Sequence, residues 1–251
     1  MGEVYRLYTE ADYDATSKTT SSGQAQEWDI TSQLGGGGGG DVKIVITNTS
    51  TVYFYKTITA IGSNALRFRF HYDFSAFTFQ DGTNTEVFDV YSSAVNYLTR
   101  GSIKRVGSQY YFKIGQYSDG RTSSSSIDFA ISSTGPDYLE CYYVRPTSDM
   151  SSDGTASYTT GVDGLIGSHT GIDNYDEFPL IDQVRFGAGL LSGSIPEGST
   201  GNLFFGKILI RNDANPIGPY APARANKNIA AIRNSQMITN LRRGMKTGRR
   251  K

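Results

Sequence analysis

The chain has 251 residues with 24 basic and 24 acidic side chains, and its single cysteine, Cys141, excludes an internal disulfide, so packing and strand ladders must hold the fold. Seventeen tyrosines and thirteen phenylalanines among Ser, Thr and Gly suit many short strands joined by turns. No apolar run reaches the ~18 residues of a membrane span, and Met1 to Asp12 is polar and acidic, so neither a membrane segment nor a signal peptide is expected.

In chain order, residues 1–40 read as a polar N-terminal arm, with an early strand allowed, closing on the flexible glycine run Gly35 to Gly40. That run lacks the Lys-Ser/Thr and following helix of a phosphate-binding loop. Trp28, in Glu27-Trp-Asp29, reads as a structural aromatic. Strand material follows at Val42 to Ile46 and Val52 to Tyr55. Leu66 to Phe74 then alternates strictly, with Leu66, Phe68, Phe70, Tyr72 and Phe74 on one face, which packs, and Arg67, Arg69, His71 and Asp73 on the other, which is expected to meet water or a ligand, with His71 solvated. Further strands are expected at Glu86 to Tyr91, Gly101 to Val106, Tyr110 to Gln116, Ser126 to Ile131, Tyr138 to Arg145, Ser157 to Val162, Gln183 to Gly187 and Asn202 to Arg211. Asp81-Gly82, Asp119-Gly120, Asp153-Gly154 and Asp163-Gly164 punctuate them as tight turns. Roughly ten to thirteen such strands without a helix before 223 predict an all-β fold of two packed antiparallel sheets over residues 41–220. Cys141 falls inside an apolar run and is expected to be a buried, inert thiol.

Pro216, Pro219 and Pro222 then force an extended exit into a basic tail, residues 221–251. Arg224, Lys227, Arg233, Arg242, Arg243, Lys246, Arg249, Arg250 and Lys251 carry nine charges with no acid among them, which leaves 15 basic and 24 acidic residues in 1–223. The balanced total thus hides an acidic body and a cationic tail. Asn228 is placed to cap a short helix whose stripe of Ile229, Ile232, Ile238 and Leu241 suits a groove on an acidic protein surface, a reading ranked ahead of nucleic acid because no aromatic follows Tyr220. A disordered solubility tail is the bland alternative.

The segments Tyr138 to Val144, Val162-Asp163-Gly164, Asp182-Gln-Val-Arg-Phe-Gly187, Phe204-Phe-Gly-Lys-Ile208 and Ile217-Gly-Pro219, in this order, resemble concanavalin A-like or laminin G-like jelly rolls of phage structural proteins over residues 40–220. The resemblance implies an antiparallel β-sandwich with this topology, displayed on a virion. Two departures weaken any site carried over: Tyr138 stands where Trp is usual, and Gly206-Lys207-Ile208 replaces an acidic Asp-Asp-Ile.

Glycoside hydrolysis on such a sandwich needs two carboxylates on one face, typically Glu-x-Asp-x-x-Glu. Glu86 and Asp89 lie three apart, hence on opposite faces of a regular strand, and Glu140 has no acidic neighbour in its strand, so no catalytic residues and no enzyme are expected. His169, in the presumed loop Gly167 to Gly171, with Asn174 and Tyr175, forms the candidate glycan contact. Asp173, Asp176, Glu177 and Asp182 form a candidate calcium site, weighed against a solvated acidic loop. No other cofactor is indicated. These readings combine into a virion protein such as a capsid decoration or a head- or tail-associated subunit. In it the tail docks on other virion proteins, the body contacts a cell-surface glycan, and edge strands favour an oligomer or larger assembly without a membrane. The rival is a carbohydrate-active enzyme or free lectin on the same fold.

Overall fold

The alternation at Leu66 to Phe74 becomes one strand of a β-sandwich in the computed structural model, with Leu66, Phe68, Phe70 and Tyr72 all at 0% exposure. The structure describes residues 3–7, 18–19, 24–29, 31–32, 34, 40–58, 64–92, 96–118, 124–176, 178–190, 194–213 and 217. Among these the strands are β1 (Glu3–Leu7), β2 (Lys18–Thr19), β3 (Ala25–Asp29), β4 (Asp41–Ile46), β5 (Val52–Thr57), β6 (Ala65–Asp73), β7 (Phe77–Thr78), β8 (Asn84–Ser92), β9 (Asn96–Val106), β10 (Gln109–Tyr117), β11 (Ser124–Ile131), β12 (Asp137–Val144), β13 (Gly154–Thr160), β14 (Gly164–Ile172), β15 (Gln183–Ala188) and β16 (Thr200–Arg211). The described residues hold no α-helix, only a single 3-10 turn at Phe178–Leu180.

All pairings are antiparallel and fall into two sheets. A nine-stranded sheet runs β14-β13-β12-β6-β16-β4-β3, with β1 and β7 also paired to β16, and a seven-stranded sheet runs β11-β10-β9-β8-β15-β5-β2. Neighbours such as β6 and β12, or β6 and β16, are distant in sequence, which is the crossing connectivity of a jelly roll rather than a meander. The core is aromatic where the sheets meet. Phe68, Phe70 and Phe205 from the larger sheet interlock with Phe54, Phe88 and Phe186 from the smaller, with ring centroids 5.2 Å apart for Phe70–Phe186 and 5.5 Å for Phe68–Phe88, both tilted toward edge-on. Burying each ring contributes roughly 1.5–3 kcal/mol, so this seam is a principal source of stability. Cys141 lies in it at 0% exposure, and burial pushes its thiol well up.

Several sequence expectations change at this level. The polar segment 1–40, where the sequence allows an early strand, supplies three, β1, β2 and β3, which pair with β16, β5 and β4. Polar composition conceals these strands because an edge strand needs ladder partners more than apolar side chains. Asp81-Gly82 and Asp163-Gly164 are turns with positive φ at the glycine, 74° and 72°. At Asp153-Gly154 the glycine instead opens β13, where an added Cβ would sit 2.6 Å from the Ile172 carbonyl oxygen. His71, expected in solvent, is 7% exposed, and its pKa falls to about 4 through burial and the neighbouring cations Arg69 and Lys207. Compactness divides the chain into Met1–Pro219 and Tyr220–Lys251. The latter unit, with every anchor residue from Arg224 to Lys251, lies outside the described residues, as do 35–39 of the glycine run and Asp119-Gly120.

Candidate functional site

Directly opposed residues of antiparallel strands share a face, so register alone arranges the outer surface of the seven-stranded sheet. One row runs Tyr55, Arg185, Asp89, Arg100, Gly115, Ser126 across β5, β15, β8, β9, β10 and β11. A second runs Glu86, Ser102, Lys113, Asp128, and a third Gln183, Tyr91, Tyr97, with the Tyr117 ring 6.2 Å from that of Tyr97. Charged groups therefore occupy the middle of the face and tyrosines flank them.

Glu86 and Asp89 share this face because β8 is bulged. Glu86 pairs with Ser102 and Asp89 with Arg100, two residues apart on β9, so three steps on β8 match two on its neighbour. The extra residue turns inward: Val87 and Phe88 are both at 0% exposure. The inference that a three-residue spacing puts these carboxylates on opposite faces is thus corrected, since strict alternation fails at a bulge.

The two acids have different surroundings. Asp89, at 0% exposure, is held by Arg185 through Nε donating to Oδ1 at 2.7 Å and Nη2 donating to Oδ2 at 2.6 Å. The guanidinium lies 4.0 Å from the centre of the Tyr91 ring, with Tyr53 and Tyr97 at 5.4 and 5.5 Å. Burial raises the Asp89 carboxyl to about 6, with Arg185 opposing and the negative charge of Glu86 adding to the rise. Glu86, 9% exposed, has its Oε1 3.6 Å from Arg100 Nη1. It lines a pocket of about 80 Å3 together with Asn84, Arg100, Ser102, Lys113, Gly115 and Ser126. Gly115 makes the depression: the nearest atoms a Cβ there would meet belong to Arg100 and Ser125 at 3.7–3.8 Å, ordinary van der Waals contact, so a side chain fits the fold and fills the pocket. With Asp89 neutralised by Arg185, the pocket presents one carboxylate and two cations.

The candidate glycan contacts do not converge. His169 lies on β14 rather than in a loop and is 3% exposed, with Nδ1 3.0 Å from the Tyr158 hydroxyl and its ring edge-on to Phe129. Burial lowers its pKa. Asn174 is buried, with its carbonyl accepting from Phe178 N at 3.1 Å. Tyr175 stacks under Arg145 at 3.6 Å and accepts from Arg145 Nε through its carbonyl. Of the calcium candidates, Glu177 lies outside the described residues, and Asp173, Asp176 and Asp182 belong to no cluster: no group of three or more His, Cys, Asp or Glu suited to a metal occurs among the described residues. Sequence reasoning passed over Arg100, Lys113 and Arg185. Their one available signal was acids and cations alternating with apolar residues on successive strands.

No protein-family model matches the chain, and no curated protein matches it. Solved structures do. The alginate lyase Aly36B aligns at 9% identity and TM-score 0.50 over 82% of this chain and 91% of its own. A carbohydrate esterase from the Shiga toxin-encoding bacteriophage phi24B aligns at 12% and 0.50 over 83% and 97%. Alginate lyase vAL-1 from Chlorella virus aligns at 15% and 0.49 over 75% and 90%. At such identities the likeness concerns the fold, a jelly-roll β-sandwich. It also corrects the expectation of a non-enzymatic protein. The fold is one that carries carbohydrate-active enzymes, and the missing hydrolase motif excluded a single reaction class on a strand geometry that β8 does not have.

Proposed function

We propose that this chain is a carbohydrate-active protein, a jelly roll of the concanavalin A-like kind, that lays an acidic polysaccharide across the outer face of its seven-stranded sheet and cleaves it at the pocket of Glu86, Arg100 and Lys113. The observation that carries the reading is the bulge in β8, which brings Glu86 into a pocket shared with two cations on a face flanked by tyrosines. Tyrosine rings offer sugars an apolar surface with a polar tip.

The charge balance favours β-elimination over hydrolysis. Hydrolysis needs two accessible carboxylates, and Asp89 is locked to Arg185 beneath the surface. In elimination, Arg100 and Lys113 neutralise the carboxylate of a uronate, which acidifies the adjacent ring C–H. Glu86 takes that proton, the bond from the neighbouring ring carbon to the glycosidic oxygen breaks as the ring double bond forms, and the leaving oxygen is protonated by water. The Asp89–Arg185 pair keeps the floor of the site rigid.

The test is incubation with a panel of acidic and neutral polysaccharides, following retention on the immobilised polymer and ultraviolet absorbance of the unsaturated product. Turnover of an acidic polymer, lost in Glu86→Gln with retention kept and with both lost in Gly115→Val, supports the reading. Retention without turnover reduces the protein to a binding module, and retention unaffected by Gly115→Val removes the site from this face.

A placement on a phage particle, with the tail docking on acidic virion proteins in an assembly, rests on the split between acidic body and cationic tail. Salt-sensitive co-sedimentation with particles, lost when residues 224–251 are deleted, is its expected result. Equal pelleting of both chains rejects the tail as anchor.

A further inference from the structure

The alternation of β10 sends Tyr111, Lys113, Gly115 and Tyr117 to the outer face of the seven-stranded sheet, and its unbroken register with β9 sets Lys104 opposite Tyr111, Ser102 opposite Lys113 and Arg100 opposite Gly115. Three cations thus occupy three successive rows of the β9–β10 pair: Arg100, then Lys113, then Lys104. Neighbouring rows are two residues apart, so the ladder climbs about 13 Å along the strands at ~3.3 Å per residue. Along β10, Tyr117 stands one row before Gly115 and Tyr111 shares the last row with Lys104, so a tyrosine marks each end of the ladder. All five of these charged and aromatic side chains belong to partly exposed residues.

The acids lie to either side of this seam. Glu86 on β8 is opposite Ser102, with its Oε1 3.6 Å from Arg100 Nη1, and Asp128 on β11 is opposite Lys113 and accepts from Lys104 Nζ. A polyanion laid across the strands at the level of Lys113 passes over both carboxylates. At the level of Arg100 it meets that cation and Arg185, which Asp89 already occupies. Laid along the seam between β9 and β10, it meets three cations in turn and keeps one acid on each flank. Lys104 is the member of this ladder that does not line the Glu86 pocket. Its partnership with Asp128 is open to water, the two side chains being 27% and 33% exposed, and a pair so exposed yields readily to an incoming carboxylate.

We propose that the acidic chain runs along the β9–β10 seam and that Lys104, with Tyr111 opposite it, is a second carboxylate site one row beyond the pocket, where a substrate carboxylate takes the place of Asp128. Asp128 then limits affinity, because it has to release Lys104 before the chain seats. The inference rests on the reading of this face as the acidic-polysaccharide site and adds the direction of the chain.

The test is titration calorimetry of the full chain at low salt with hexasaccharides of galacturonate, mannuronate and guluronate, in the Glu86→Gln background so that none is cleaved. Added variants, each checked by thermal melting, are Lys104→Gln, Asp128→Asn, Tyr55→Ala, which lies in the row of Arg185 and Arg100 on β5, and Glu27→Gln, which removes an acid from the other sheet as a net-charge control. For a hexasaccharide that binds, Lys104→Gln should weaken and Asp128→Asn should tighten affinity, each roughly two- to fivefold, the worth of one exposed charge pair, with Tyr55→Ala and Glu27→Gln unchanged. Unchanged affinity in Lys104→Gln overturns the inference, and a loss in Tyr55→Ala beside it turns the chain across the strands. Equal tightening in Asp128→Asn and Glu27→Gln also overturns it, as an effect of net charge. Binding that Gly115→Val abolishes but Lys104→Gln spares removes the direction alone and leaves the pocket; no binding of any hexasaccharide removes both.

Discussion

Replacing Arg185 by Leu isolates the Asp89 carboxylate, which has 0% exposure and takes both of its short hydrogen bonds from that guanidinium. Removing one member of a buried ion pair costs about 3–5 kcal/mol, because the remaining charge is neither solvated nor paired. For a chain of this size each kcal/mol moves Tm by about 2–4 °C, so Arg185→Leu should melt roughly 10 °C lower at pH 8. The loss should shrink at pH 5. Burial already holds the Asp89 carboxyl at about 6, against 3.8 for the free group, and only Arg185 among its neighbours pulls it down. Without Arg185 it rises further. A group whose folded pKa exceeds its unfolded value stabilises below the unfolded pKa and loses that contribution as pH rises through the folded one, so the variant is least impaired in acid. Leucine at both positions should recover most of the loss, since neither charge then needs solvation. Thermal melts of the wild type, the single variant and the double variant at pH 5 and 8 decide the matter. A single-variant loss under about 1 kcal/mol that does not change with pH would refute the reasoning and reclassify the pair as a solvent-screened one.

The second prediction concerns Gly101→Ala, whose new Cβ would lie 1.9 Å from Phe88 Cε1; it should lose about 1–3 kcal/mol through displacement of that ring, and Phe88→Leu in the same chain should restore part of it in urea unfolding. His71 is held at about 4 against 6.5 when unfolded, so the unfolded chain binds the proton first and this group should contribute about 3 kcal/mol less stability at pH 4 than at pH 7; the urea midpoint of His71→Phe relative to wild type should rise by that amount as pH falls over this range. Tyr97→Ala, which removes one ring of the flanking row, should weaken retention on a bound polysaccharide roughly three- to tenfold in affinity electrophoresis, in line with ~0.5–1.5 kcal/mol per aromatic contact. Cys141 should stay unreactive toward a disulfide reagent in the native protein and react at once in denaturant, its thiolate being suppressed by complete burial.

Strands with one face on the core were legible before any tertiary structure. At β6, at β12 and over Tyr110, Phe112 and Ile114 of β10 the apolar residues recur every second position, a period that no helix shares, and the turn glycines Gly82 and Gly164 mark hairpin ends through a backbone conformation that other residues rarely adopt. β14 was not legible. Its Gly-Leu-Ile-Gly-Ser-His-Thr-Gly-Ile has loop composition, and it is a strand because β13 offers it a ladder along the edge of the sheet. That one misreading put His169 in a loop as a ligand contact when its ring is packed inside against Phe129 and Tyr158.

The sequence by itself determined the fold class, the buried state of Cys141 and the separation of an acidic body from a cationic tail, because these depend on composition and on a period carried by single strands. Only the tertiary structure decided the site. Which residues share a face depends on register between strands, and the bulge in β8 is defined by its pairing to β9 rather than by any residue within it. The same holds for Asp89 and Arg185, 96 residues apart in sequence: their contact exists because β8 and β15 lie side by side, and strand order is a property of the whole sandwich.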